Sequence, residues 1–428
     1  MEILLSIAIA MAAGLFISRI TKIFNLPAVT GYLIAGVLVG PYLLGALGAK
    51  LGVEGLGFVS MNAVHALGII SDVALGFIAF SIGNEFRLSQ IKAIGMPAAI
   101  IGVLQAFVAT IFVDVGLIAL HFILGEEVLP LSVAITMGAV AAATAPAATL
   151  MVVKQYKAKG PLTSLLLPIV ALDDAVGLIV FAVSFGIAKA LIVGSVDVIS
   201  IIVEPLLEVV LSLVLGALMG ALFTFCEKFF HSRSKRLSMS VTFVFLTVAL
   251  SMLKFEIGGV HIAFSSLLSC MMLGTIFCNI CDFSEELMDR VDRWTAPLLI
   301  LFFVISGAEL ELSIFKDLVI VLIGLVYILS RCIGKYFGAS ISAKATKCDN
   351  NIVKYLGITL FPQAGVALGM AIKAEELGAE GSVVANITLF AILIYELIGP
   401  FLTKVSLQKA GEIKPEGKVS ARVENTKA

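Results

Sequence analysis

The chain has 428 residues, 60% of them hydrophobic and only 14% charged, with a mean hydropathy of +1.09. A soluble domain carries about 25% charged residues, so a water-soluble globule is excluded and a polytopic membrane protein, all-α, is expected. The net charge of −1 offers no overall field for nucleic acid or an acidic substrate, and neither is expected as a partner.

Apolar runs of about 20 residues cross a bilayer as helices. Thirteen follow in chain order, at 3–20, 28–44, 63–82, 97–124, 131–153, 162–191, 198–230, 237–253, 260–277, 295–310, 318–343, 352–372 and 383–405. The first run lacks a positive leader and is read as a spanning helix rather than a cleaved signal. Residues 406–428 are polar and read as a short cytoplasmic tail. Basic residues alternate between the connecting segments. One side holds Arg19 and Lys22, Arg87 and Lys92, Lys154, Lys157 and Lys159, then Lys228, Arg233, Lys235 and Arg236, Arg290 and Arg293, Lys344, Lys347 and Lys354, and the basic tail. The other holds Lys50, Lys189, Lys254, Lys316 and Lys373. The positive-inside rule then puts the N-terminus outside and the C-terminus in the cytoplasm. Cys278 and Cys281 form a CxxC with no second pair near it, which is read as structural because zinc sites use about four ligands.

Two stretches repeat. Gly83-Asn84-Glu85-Phe86-Arg87-Leu88-Ser89 closes the third run and Gly307-Ala308-Glu309-Leu310-Glu311-Leu312-Ser313 the tenth, both G-x-E-x-x-L-S. On the topology above they exit on opposite sides, so the copies are inverted. Two runs later, each half has a span interrupted by proline and small residues. The first contains Thr144-Ala145-Pro146 and the second Phe361-Pro362-Gln363-Ala364-Gly365. A pair of interrupted spans in corresponding places marks a transporter binding site. Unwinding exposes half-helix ends carrying about half a unit of charge each, and free carbonyls that coordinate cations.

Asp173 and Asp174 sit midway along the sixth run, directly after the first interruption. A carboxylate at that depth costs about 2.5–3.5 kcal/mol on insertion scales, so it needs a partner, a proton or a cation. Successive helix residues differ by about 100°, so the two acids cannot face one partner. Asp174 is expected to carry the cation and the proton, with Thr144 adding a hydroxyl to a Na+ site, and Asp173 to pair with Arg331. Lys335 is expected to snorkel to the cytoplasmic surface, and Glu396 to offset the positive half-helix ends. Asp114 is expected to be solvated. A carboxylate that binds either a proton or a small cation exchanges one for the other by competition. No enzymatic activity, cofactor or nucleotide is expected.

Together these motifs, with Leu26-Pro27-Ala28-Val29-Thr30-Gly31-Tyr32 at the second run and Arg331-Cys332-Ile333-Gly334-Lys335 in the eleventh, resemble the monovalent cation:proton antiporter superfamily. The resemblance is to its bacterial thirteen-helix sodium/proton exchangers and covers the chain to about residue 405. It implies an inverted-repeat fold with two crossed broken helices, and a homodimer in the inner membrane. It also implies scaffold helices at about 1–94 and 237–312, a linker helix at about 198–230, and a core at about 95–193 and 313–405 that moves as an elevator. By motif position, Asp174 is the ion-binding acid with Asp173 and Thr144 beside it, and Arg331 faces the acids. Many relatives with paired aspartates have lysine at that position. Arginine does not release its proton, so one proton per Na+ (or Li+) is expected. Gln363 replaces a charge found in some relatives and leaves K+/H+ exchange as an alternative, with a passive cation channel further behind.

Overall fold

The computed structural model of the chain describes residues 2–413, apart from 25, 52–56, 59, 85, 194–202, 231, 254, 258–259, 310–315 and 375–376. The fold is helical: α1 (Glu2–Ile23), α2 (Ala28–Val39), α3 (Leu44–Leu51), α4 (Met61–His65), α5 (Gly68–Asn84), α6 (Leu88–Leu124), α7 (Leu131–Val140), α8 (Pro146–Tyr156) and α9 (Pro161–Val193) make up the first half. The second half contains α10 (Glu204–Glu227), α11 (Arg233–Ser251), α12 (Ser266–Ile280), α13 (Ser284–Glu309), α14 (Leu318–Ala345), α15 (Asn350–Thr359), α16 (Gly365–Ala374) and α17 (Ala379–Lys409). Among the described residues most expected apolar runs hold a single helix or, at α7/α8 and α15/α16, an interrupted pair, whereas the run expected at 63–82 divides between α4 and α5. Among the described residues, eight helices are long and apolar enough to cross a membrane unaided.

Among the described residues, the structure departs from a purely helical reading at one place. A short antiparallel hairpin, β1 (Phe255–Ile257) with β2 (Val260–Ile262), precedes α12. The run expected from residue 260 therefore turns helical only at Ser266, where the Ser265 hydroxyl accepts from the Leu268 amide. β-branched residues on both sides of a Gly-Gly pair favour a hairpin over a helix start.

The repeat is visible in the element order. α5, α6, the broken pair α7/α8 and α9 are followed after three helices by α13, α14, the broken pair α15/α16 and α17. The repeated glycine has a packing reason. A Cβ on Gly83 would collide with the Met271 carbonyl of α12, and one on Gly307 with the Leu33 carbonyl of α2. Each motif helix thus lies backbone to backbone against a neighbour, α5 on α12 and α13 on α2. Without a hydrophobic drive inside lipid, such small-residue contacts hold helices together. Glu85 and residues 310–313 of the motif lie outside the described residues.

The tail does not begin where the polarity of the sequence suggested. α17 runs on to Lys409, and the next turn folds back so that Glu412 and Ile413 are both buried. The Glu412 carboxylate accepts from the Leu162 amide (2.6 Å), the Thr163 amide (2.8 Å) and the Thr163 hydroxyl (2.5 Å). Pro161 opens α9 and has no N–H, so Glu412 satisfies the next two donors, as an N-cap would. The aspartate-bearing helix is therefore capped from the far end of the chain. Glu412→Ala is expected to cost about 1–2 kcal/mol, read as a lower thermal midpoint in detergent; a wild-type midpoint would contradict this.

Candidate functional site

The two interruptions meet. α7 ends at Val140 and α8 begins at Pro146; α15 ends at Thr359 and α16 begins at Gly365. The Ala145 amide donates to the Pro362 carbonyl at 2.8 Å, joining the unwound segments directly. Pro146 takes the first position of α8, where its missing N–H costs nothing. Pro362 lies within the second break, and Gly365 opens α16.

An α-helix leaves its last carbonyls without partners, and inside a membrane each such group is costly. At the end of α7 these carbonyls are satisfied by side chains. The Gln363 amide donates to the Val140 carbonyl (2.8 Å) and is held by the Tyr327 hydroxyl. The Arg331 guanidinium donates to the Ala141 (3.0 Å), Ala143 (2.6 Å) and Phe361 (2.7 Å) carbonyls. Lys335 Nζ donates to the Ala142 carbonyl at 2.6 Å. Two full positive charges thus face the negative end of a half-helix, where the dipole favours them. Arg331, wholly buried, also lies over the Tyr395 ring at 4.7 Å.

This geometry corrects the expected pairing. Asp173 is bonded not to Arg331 but to Lys335, whose Nζ lies 3.0 Å from its Oδ2, with both side chains fully buried. Lys335 does not snorkel: its ammonium also donates to Thr144 Oγ1 at 3.0 Å. The Thr144 hydroxyl donates to Asp173 Oδ2 at 2.5 Å. The physical reason is shape. A planar fork with donors pointing several ways suits three separate carbonyls, whereas a point-like ammonium suits one carboxylate oxygen and its neighbours. Lys335, one helical turn beyond Arg331, has the reach. With a lysine as partner, the argument for one proton per cation loses its premise.

Sequence reasoning missed Gln105. It lies on α6, fully buried, and its Nε2 donates to Asp173 Oδ1 and to the Gly102 carbonyl (2.9 Å). A buried amide in the middle of an apolar run was the available signal. Asp174 follows Asp173 on α9, and its side chain lies outside the described residues. Glu396 is buried on α17, but its Oε2 has no hydrogen-bond partner among the described residues, so no bond from that oxygen to a half-helix end supports the offsetting role. Asp114 is not freely solvated: its Oδ1 packs against Gly138 of α7 and is likewise without a partner among the described residues.

A cavity of about 1170 Å³ opens beside the site, between α2, α6, α8, α9 and α13. Its lining runs from Lys157 and Lys159 in the loop after α8 to Leu172, the residue before Asp173. Two contacts tie α8 across it. Lys154 Nζ lies 2.6 Å from Asp292 Oδ1 on α13, and Gln155 Oε1 accepts from the Ala28 amide at the start of α2 at 2.8 Å.

The architecture is that of an integral, multi-pass membrane protein built on a repeated helical unit, with a buried ion pair where its two broken helices meet. The family described as sodium/hydrogen exchanger, transmembrane, matches residues 7–409, and the chain belongs to it, within the monovalent cation:proton antiporter superfamily. Among curated proteins it is 23% identical to the Na(+)/H(+) antiporter NhaS4 of Synechocystis sp. over 94% of this chain and 96% of that one. It is 24% identical to an Na(+)/H(+) antiporter of Enterococcus hirae, over 96% and 99%. Among solved structures, the sodium proton antiporter MjNhaP1 of Methanocaldococcus jannaschii at pH 8 superposes with a TM-score of 0.63 at 19% identity, covering 96% of this chain and 97% of that one. An electron-microscopy structure of the same antiporter gives 0.68 at 16% identity, with 97% of both chains covered. At such identities the structures speak for the fold.

Proposed function

We propose that the chain exchanges Na+, and Li+ with it, for protons by alternating access, with Asp174 and Asp173 as the acids and Thr144 as a neutral ligand. The observation that carries this reading is the fully buried Asp173–Lys335 pair beside Thr144, where the two helix breaks meet. A buried pair of this kind is costly to strip of one partner, so a cation that enters must replace the ammonium charge beside the carboxylate. Lys335 can do this by releasing its proton, which arginine cannot. Cation entry then displaces one proton from Lys335 and one from Asp174. Two protons per cation is the stoichiometry this supports, in place of the one expected from an arginine partner.

The remaining parts of the reading follow from the element order and charge pattern. The thirteen apolar runs span a bacterial inner membrane, N-terminus outside, and the cavity opens to the cytoplasm beside the Lys157–Lys159 loop. Helices α6 to α9 and α14 to α17 form the moving core. α1, α2, α5 and α11 to α13 form the scaffold of a homodimer, and α10 links them. The Lys154–Asp292 and Gln155–Ala28 contacts cross between core and scaffold, so the elevator step has to break both.

The test uses proteoliposomes with an acidic interior and a clamped membrane potential. Sodium, lithium and potassium are added in turn to wild type and to Asp174→Asn. Proton efflux driven by sodium or lithium in wild type alone, and accelerated by potential, is the expected result. A response only to potassium makes the chain a K+/H+ exchanger. Current without coupled proton movement means a channel, and ends the antiport reading of the site.

A further inference from the structure

The Asp173 carboxylate is held on both oxygens, and the two sets of donors differ in kind. Oδ2 takes the Lys335 ammonium and the Thr144 hydroxyl; Oδ1 takes the Gln105 amide. The orientation of that amide is fixed by its neighbours. The Gly102 carbonyl and Asp173 Oδ1 can only accept, so the nitrogen of the amide faces both. Its oxygen is left over. Gln105 Oε1 is buried without a hydrogen-bond partner among the described residues, and an unmatched buried acceptor is unfavourable unless something else occupies it.

The position is built rather than incidental. α14 approaches α6 closely at this level, and a Cβ on Gly338 would lie 2.8 Å from the Gln105 Cα. Gln105 is thus held against the same helix that supplies Lys335. The charged group its amide meets is Asp173 of α9, whose other oxygen holds Lys335 of α14, with Arg331 a turn earlier on α14. The terminal torsion of a glutamine is broad and roughly two-fold, so exchanging nitrogen for oxygen needs no movement of either helix. An amide oxygen, a carboxylate and a threonine hydroxyl are the hard oxygen donors that a small, dehydrated alkali cation requires.

We propose that Gln105 is a ligand of the transported cation, its amide turning over in the cycle: N–H to Asp173 when Lys335 is paired, Oε1 to the cation when Lys335 has let go. This rests on the exchanger reading above and adds a ligand to its site. The amide makes Asp173 a satisfied carboxylate in one state and supplies the oxygen that would otherwise have to come from water in the other.

Gln105→Leu, of similar volume, removes both functions, while Gln105→Glu keeps an oxygen and removes the N–H. In proteoliposomes, Gln105→Leu is expected to raise the KM for sodium about tenfold, the loss of one ligand at about 1.4 kcal/mol per decade. Gln105→Glu is expected to hold KM within about threefold of wild type and to shift the pH profile. Purified protein gives a second readout: sodium raises the thermal midpoint of wild type and of Gln105→Glu, and no longer raises that of Gln105→Leu. If Gln105→Leu does not fold, Gln105→Met takes its place. An unchanged KM and sodium-induced shift in Gln105→Leu, with wild type exchanging normally, overturns the proposal and leaves the exchanger reading intact. Equal increases in KM for both variants also overturn it, because the oxygen then plays no part. No cation response in wild type removes both readings together.

Discussion

Lys335→Gln is expected to be less stable than wild type by about 3–5 kcal/mol and to exchange with a weaker dependence on membrane potential. The stability loss follows from leaving the Asp173 carboxylate fully buried with its bonded counter-charge removed. The Ala142 carbonyl and the Thr144 hydroxyl lose a charged donor at the same time. Asp173→Asn/Lys335→Gln removes both charges and is expected to recover most of the loss, since replacing a buried pair as a whole is far cheaper than breaking it. A four-variant thermal unfolding series measures the coupling, and additive losses would show that the pair does not act as a unit. For transport, on the proposed cycle, removing Lys335 removes one of two proton-carrying groups, so the ratio of protons to cations is expected to fall from two to one. Reversal-potential measurements read that ratio directly. A ratio of one already in wild type would remove Lys335 from the proton cycle while leaving it a structural cation.

Arg331→Met is expected to reduce exchange at least a hundredfold in protein that still inserts, with Arg331→Lys intermediate. Arg331 donates to carbonyls of both breaks, Ala141 and Ala143 on one side and Phe361 on the other. It therefore holds the two unwound segments in register, and hydrogen bonds from a charged donor are worth about 1.5–3 kcal/mol each. Methionine fills part of the volume and satisfies none of these carbonyls. Lysine keeps the charge at the half-helix end but offers no planar fork, so it cannot bridge both breaks. Exchange rates and thermal midpoints of the three proteins separate the effects of charge and of fork. Wild-type exchange in Arg331→Met would mean that the other bonds at the breaks, among them those of Gln363, Thr144 and Ala145–Pro362, hold them without Arg331.

Gln363 and Arg331 show where the chain could be read in advance and where it could not. That Gln363 lies in the second break is plain from proline and glycine in an apolar run, and that Arg331 is a buried charge is plain from its place within α14. That Gln363 satisfies the Val140 carbonyl of the first break is not, because the bond joins residues 223 positions apart. A separation of 162 positions likewise hid the partner of Asp173. Arg331 and Lys335 lie on one helical face, four residues apart, and both are close enough in principle. The choice between them turns on three carbonyls supplied by the breaks, which no local pattern announces.

The amino-acid sequence by itself determined the solvent of this protein, the positions of its apolar helices, its repeated halves and the two interruptions. Each of these rests on local composition: the length of an apolar run, the loss of an N–H at proline, the recurrence of a glycine motif. Only the tertiary structure decided the wiring. It set Lys335 rather than Arg331 on Asp173, brought Gln105 to the other oxygen, and bent the polar end of the chain back so that Glu412 caps the acid-bearing helix. These are contacts between distant segments, chosen by the geometry of donors around buried carbonyls and carboxylates, where a group left unmatched costs more than any local preference can return.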